Sequence, residues 1–266
     1  MAKTTKKKKK SKPQKKLVPF FKIVAYTVLL LFFASIFFTV IYKWVNPPLT
    51  PLMLIRKITD DASINKEWVA LKDISPHMIS ASIAAEDNNY LGHKGFDYGA
   101  IQKAIDMSKK GKPKRGASTI SQQTAKNVFL WQKRSWIRKG LEVYFTFLIE
   151  NIWGKERIME VYLNVIEMGN GVYGCEAAAR TYFKTSAHQL SKKQACLIVA
   201  CYPNPRRWNA KNPTNYIQKR ADNIANLIPK LGKISFDDEN IKKAQERYKK
   251  REEKRRLKNN GKIISF

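Results

Sequence analysis

From Ile23 to Tyr42 the chain runs for twenty residues without a charge, most of them Leu, Phe, Val, Ile or Ala. As a helix rising about 1.5 Å per residue, that run measures about 30 Å, the thickness of a hydrocarbon core. A cleavable signal peptide has a shorter apolar stretch, about 7–15 residues, and a small-x-small exit. Here the exit is Tyr42, Lys43, Trp44, Val45, Asn46, Pro47 and Pro48, with no such pattern. The sequence therefore predicts an uncleaved transmembrane helix over 23–44, with Tyr42 and Trp44 as interfacial anchors. Residues 1–22 hold ten Lys and no acid. The positive-inside rule keeps this leader in the cytoplasm and puts the rest of the chain on the far side, because long domains translocate largely regardless of charge. Beside a bilayer such a leader also binds anionic lipid.

Charge narrows the field further. Lys plus Arg number 51 against 21 Asp plus Glu, a formal net charge of +30 over 266 residues. Residues 1–22 contribute +10, and residues 230–266, with thirteen bases and six acids, contribute +7, so +13 remains for the middle. An apolar content of 44% with 11% aromatics excludes a disordered polyelectrolyte and supports a buried core. A basic middle favours an anionic partner: nucleic acid, phospholipid headgroups or a phosphorylated substrate. The three cysteines, Cys175, Cys196 and Cys201, are too few for a disulfide scaffold and odd in number. They read as small core residues. His77, His93 and His188 stand apart from them, so no zinc-site spacing is present.

Residues 45–60 read as a Pro-interrupted linker, 61–236 as one mainly helical domain, and 237–266 as a charged tail. Ile137, Leu141, Phe145, Leu148 and Ile152 recur at helical spacing and define one apolar face. Ile158, Val161 and Tyr162 repeat the pattern. Ser191 and Gln194 form a capping box before the apolar run Ala195 to Ala200, which Pro203 and Pro205 stop. The segment Phe236 to Lys258 alternates acids and bases with almost no apolar face; it reads as a solvated helix or a disordered tail, without chemistry.

Ionisable and polar residues bunch in four places. In EDNNYLGHKGFD (86–97), Glu86 falls at a helix end where the dipole disfavours a carboxylate, and Asp87 adds like charge. Both effects raise a carboxyl pKa toward that of a general acid or base. In GASTISQQTAKN (116–127), Ser118 reads as the N-cap, with Gln122 and Lys126 stacked on its side and Gln123 and Asn127 alongside. Free amides at the start of this helix and an ammonium two turns on make a cradle for an anionic oxygen. The preceding KKGKPKRG (109–116) is too rich in Lys and Gly to pack. The third cluster is Lys133, Arg134, Arg138, Lys139 and Glu142; taken alone, Arg138 and Glu142 are an i, i+4 surface pair worth under about 1 kcal/mol. The fourth, EVYLNVIEMGNGVYGCEAAARTYF (160–183), reads as core architecture, its glycines allowing close backbone approach.

The order and spacing of EDNNYLGHKG, GASTISQQTAKN, RKGLE, EVYLN and AAARTYF resemble the peptidoglycan glycosyltransferase family, glycosyltransferase family 51, and in particular its monofunctional biosynthetic members. The similarity covers roughly residues 60–210. Tyr90 stands where Phe is usual, and Lys184 follows Tyr-Phe where Gly is usual. With 56 residues after Ala210, no penicillin-binding transpeptidase domain is expected to follow. The resemblance implies a mainly α, lysozyme-like glycosyltransferase domain behind one N-terminal transmembrane helix, polymerising lipid II by extending a glycan on undecaprenyl diphosphate.

It further implies Glu86 as general base and Glu142 as the second catalytic carboxylate. Lys126 and Arg134 would hold the pyrophosphate, with Ser118, Gln122, Gln123, Asn127 and Asp87 as polar support and Arg138 and Lys139 as neighbours. A divalent cation, Mg or Mn, is left open by the resemblance; no dedicated cage is present, so no metal ligand is assigned. Expected partners are lipid II, the lipid-linked glycan, the membrane and other peptidoglycan synthases. Nucleic acid is not expected, because the domain faces away from the cytoplasm. The expected location is the inner membrane, single-pass, with the domain outside. Two rivals remain: a membrane-anchored lysozyme-like hydrolase, which would need no pyrophosphate cations, and a scaffold that binds anionic lipid through its basic tails.

Overall fold

A computed structural model describes residues 18–111 and 116–263. Most of the Lys-rich leader and the middle of the 109–116 loop therefore lie outside the described residues. The apolar run forms α1, Val18–Ile41, whose window Phe21–Ile41 is long and apolar enough to cross a membrane and is almost wholly exposed. Its C-terminal end is tied to the domain by groups that meet its free carbonyls and its negative dipole end. The Trp153 indole N–H donates to the Thr39 carbonyl at 2.7 Å. Arg157 donates to the Tyr42 carbonyl at 3.1 and 3.0 Å and to that of Val45 at 3.0 Å.

The expected linker is half helix. Thr50 accepts from the Met53 N–H at 3.4 Å and Pro51 takes the first helical position, so α2 spans Pro51–Asp60 and closes at Asp61 in the left-handed region, φ 45°. The proline that reads as an interruption starts a helix, because a first-turn N–H has no intrahelical acceptor to lose.

Two helical groups build the core. In one, α3 (Pro76–Glu86) packs on α9 (Lys192–Ala200) and α10 (Asn215–Leu227), burying Met78, Ala81, Ile198, Val199, Ala221 and Ile224. The Ser191–Gln194 capping box is present as expected. In the other, α5 (Ile120–Phe129) packs on α6 (Trp136–Ile152) and α7 (Gly154–Val165). The ring of Phe129 stacks on Phe145 at 4.3 Å, and Ile149, Ile158 and Met159 are fully buried; side chains of this size stabilise by roughly 1.5–3 kcal/mol each. Between α3 and α5 lies α4, Tyr98–Lys109, capped by Asp97.

A small sheet, with no period-two signal in the sequence, joins α2 to this core. Strands β1 (Asn65–Lys66), β2 (Glu167–Gly169) and β3 (Val172–Tyr173) lie in the order β1-β3-β2, with β1 parallel and β2 antiparallel to β3. They are too short to carry an alternation. Helix α8, Cys175–Phe183, follows, with Ala177, Ala178 and Ala179 buried, and ends at Lys184 in the left-handed region, φ 56°. That conformation explains why a glycine is usual there. All three cysteines are free and buried, and burial pushes the Cys196 and Cys201 thiols up to about 11.

The charged tail is neither free nor disordered over its described length. It forms α11, Asp238–Ile263, which lies against residues 89–99. Its N-terminus is capped by Asp237, which accepts from the Asn240 N–H at 2.8 Å.

Candidate active site

Glu86 is the last residue of α3 and is half-buried. Its Oε2 accepts from the Gln123 side-chain amide at 2.8 Å, and the Gln123 Oε1 in turn accepts from the Tyr162 hydroxyl at 3.4 Å. The neighbouring Asp87 makes bonds within the domain. It is buried, and its carboxylate bonds the His93 Nε2 at 2.9 and 3.0 Å and accepts from the Ile120 backbone N–H at 3.0 Å. A carboxylate at the positive end of α5 is favoured by the dipole and satisfies a free amide. Asp87 thus joins the end of α3 to the start of α5 and sets Gln123, one turn later, against Glu86.

The cap of α5 is Thr119, not Ser118. Thr119 and Gln122 form a capping box, and the Thr119 hydroxyl donates to the Gly95 carbonyl at 2.7 Å. Ser118 is exposed just outside the helix, and Gln122 is buried with its side chain turned back on the cap. Ser118 therefore takes no place on the helix face, while Gln122 keeps its i, i+4 position relative to Lys126 on α5. Gln123, Lys126 and Asn127 do share a wall: they line a cleft of about 340 Å³ together with Gln132, Tyr202 and Arg206. A larger cleft, about 410 Å³, lies under α11, away from the cations of the 126–139 region.

Arg138 and Glu142 are not a surface pair. Glu142 is buried on α6, its Oε2 accepting from Arg138 at 2.6 Å and its Oε1 from Lys139 at 2.5 Å. The Arg138 Nε is buried and has no hydrogen-bond partner among the described residues. Burial lowers the Lys126 ammonium below the usual lysine value; Glu142 opposes the shift, while Arg138, Lys139 and Arg134 add to it. Glu142, Lys126, Arg134, Arg138 and Lys139 therefore form one electrostatic group, with Arg134 at its exposed edge. These residues do not fit a protein-held divalent cation. Both oxygens of Glu142 are taken by cations, and among the described residues no group of three or more His, Cys, Asp or Glu is placed to hold a metal.

Sequence reasoning missed several members. Arg56, hidden in the supposed linker, lines the cleft and pairs with Glu167 at 3.4 Å and Asp60 at 2.8 Å. Tyr162 lies within EVYLN, and Tyr202 after α9. Burial, with the charge of Glu86 added, holds both phenols above their ordinary value, so they remain protonated donors. His93, at a fixed distance from the acidic pair in the first motif, and Tyr162, inside EVYLN, carried a signal; Arg56 and Tyr202 did not.

A family model described as Transglycosylase matches residues 53–228, two thirds of the chain and every element from α2 to α10. The chain belongs to the transglycosylase family. Relatives named biosynthetic peptidoglycan transglycosylase bear this out. The one from Bdellovibrio bacteriovorus is 52% identical over 220 residues, covering 79% of this chain and 88% of its own length. That from Bacteroides thetaiotaomicron is 52% identical over 225 residues, covering 80% and 91%. That from Shewanella oneidensis is 46% identical over 212 residues, covering 79% and 91%. The mainly helical, lysozyme-like class expected for a transglycosylase holds. Within this transglycosylase the matched region contains Glu86 and the whole cation group, while α1 and α11 lie beyond its two ends.

Proposed function

We propose that this transglycosylase polymerises lipid II into β-1,4-linked glycan with Glu86 as the general base. The chain is a peptidoglycan glycosyltransferase, and its substrate is of the lipid II type. Glu86 takes the proton of the acceptor 4-hydroxyl as that oxygen attacks the donor's anomeric carbon. The α-linked pyrophosphate leaves, the centre inverts, and undecaprenyl diphosphate is released. Negative charge develops on the departing diphosphate, where Lys126, Arg134, Lys139 and the unpartnered Arg138 Nε supply fixed positive charge. Glu142 orients Arg138 and Lys139 rather than holding a metal.

One observation carries this reading: Gln123, which bonds Glu86, lines the same cleft as Lys126. A lysozyme-like hydrolase would need a second carboxylate free to face the sugar, and both oxygens of Glu142 are engaged by cations. Among the described residues one helix, α1, is long and apolar enough to cross a membrane, and it supports a one-pass anchor in the inner membrane. With the Lys-rich leader in the cytoplasm, the domain works outside it, where other peptidoglycan synthases would be its neighbours. The test compares detergent-solubilised wild type and Glu86→Gln on lipid II and on finished peptidoglycan. Polymer from lipid II with wild type, and none with a folded Glu86→Gln, is the expected result. Soluble fragments from finished peptidoglycan would overturn it.

A further inference from the structure

Helix α11 lies beyond the matched region, yet its side chains bond to the stretch that follows Glu86. Bare backbone lets it approach: a Cβ at Gly92 would stand 2.8 Å from the Tyr248 Cβ and 3.1 Å from the Ala244 carbonyl oxygen. The Tyr248 hydroxyl accepts from the Tyr98 N–H at 3.0 Å and donates to the Asp97 Oδ1 at 3.2 Å. Three residues further on, Arg251 donates to the Asn89 Oδ1 at 3.0 Å, and Asn89 donates to the other oxygen of Asp97 at 2.8 Å. The Tyr248 ring also meets the His93 ring edge to face, centroids 6.1 Å apart.

His93 links this helix to the catalytic end of α3. The ring is buried, its Nε2 holds the Asp87 carboxylate, and its Nδ1 has no hydrogen-bond partner among the described residues. With only one nitrogen anchored, its orientation depends on what packs around the ring, and Tyr248 packs there edge to face. Asp87 holds the first amide of α5, and α5 presents Gln123 to Glu86. Each step from Tyr248 to Glu86 is a direct contact.

We propose that Tyr248 is a positioning residue for glycosyl transfer, acting through His93 and Asp87 to keep Glu86 aligned with the acceptor hydroxyl. The proposal rests on Glu86 being the base. A misplacement of about 1 Å at a reacting group can cost about a hundredfold in rate, so a partial loosening reads as a smaller, measurable loss.

Full-length Tyr248→Ala, Tyr248→Leu, Asp87→Asn and the Tyr248→Ala/Asp87→Asn double variant are assayed on lipid II. Active enzyme is counted by stoichiometric binding of fluorescent lipid II, which removes any contribution from unfolded protein. Tyr248→Ala is expected to lower kcat per bound site about tenfold with KM nearly unchanged, and the double variant to be no slower than Asp87→Asn alone. Should the alanine variant fail to fold, Tyr248→Leu fills the space without the ring edge or hydroxyl and is expected to lose at least about fivefold. Wild-type kcat per bound site in the folded variants, or losses that multiply in the double variant, would overturn the proposal. Glu86→Gln runs alongside: if it retains full activity the base assignment falls, whereas an inactive Glu86→Gln beside a fully active Tyr248→Ala refutes the positioning role alone.

Discussion

The Gln123 amide donates to the Glu86 carboxylate at 2.8 Å while the other end of the same side chain accepts from the Tyr162 hydroxyl. The carboxylate is thereby aimed by a residue on α5, the helix that also carries Lys126, so the proposed proton acceptor and the proposed leaving-group cation are set by one rigid element. Removing the amide should disturb aim more than affinity. Gln123→Ala is expected to lower kcat about tenfold and to change KM for lipid II less than about threefold. Equal losses in both, or a loss confined to KM, would place Gln123 in substrate binding alone.

Lys126 makes the pH dependence informative. Its ammonium sits below the usual lysine value because burial and three nearby cations disfavour the charged form. In the free enzyme it therefore loses its proton at a lower pH than an exposed lysine does; under the proposed role, a bound diphosphate would favour the charged form and raise the value again. The alkaline limb of kcat/KM, which reports the free enzyme, should thus fall at lower pH than that of kcat, which reports the complex. The same shift has a sign for stability: the penalty of burying the charge is present in full below the folded value and disappears as pH rises toward the unfolded one. Lys126→Arg should move the kcat/KM limb to higher pH; an unmoved limb would assign it to another group.

Glu142 is held by Arg138 and Lys139 inside the domain. Glu142→Gln leaves the buried Arg138 without its counter-charge, and breaking a buried pair from one side costs about 3–5 kcal/mol. The melting temperature should fall by about 6–20 °C. A change under about 2 °C would mean that water reaches the pair and that the burial has no energetic weight.

At the β2–β3 turn, Gly171 adopts φ 70°, and a Cβ there would stand 2.4 Å from the Ser63 carbonyl oxygen. The obstacle is backbone, which cannot swing aside. Gly171→Ala should destabilise the domain by about 1–3 kcal/mol. Hydrogen exchange should speed up first at Asn65, whose N–H donates to the Gly171 carbonyl at 2.9 Å. Wild-type exchange at that amide would show that the turn relaxes without opening the sheet.

Some of this protein was written into local sequence. An uncharged run of twenty residues can satisfy its backbone in lipid only as a helix, and α1 is one. Capping chemistry and helical spacing act within a few residues of themselves, so α6 and α9 were readable without knowing what they pack against. Ordered motifs carried Glu86, Lys126 and Glu142.

Which way a side chain turns is not a local property. Gln122 and Gln123 are adjacent and chemically identical, yet one closes a capping box and the other holds Glu86, because only Gln123 meets the end of α3 that carries it. Arg138 and Glu142 look like a solvated pair until α6 is packed into the domain and both are buried. Tyr248, one aromatic in a run of charges, meets His93 across 155 positions of chain. Period, charge and caps are settled by neighbours along the chain; burial and pairing are settled by segments that only folding brings together.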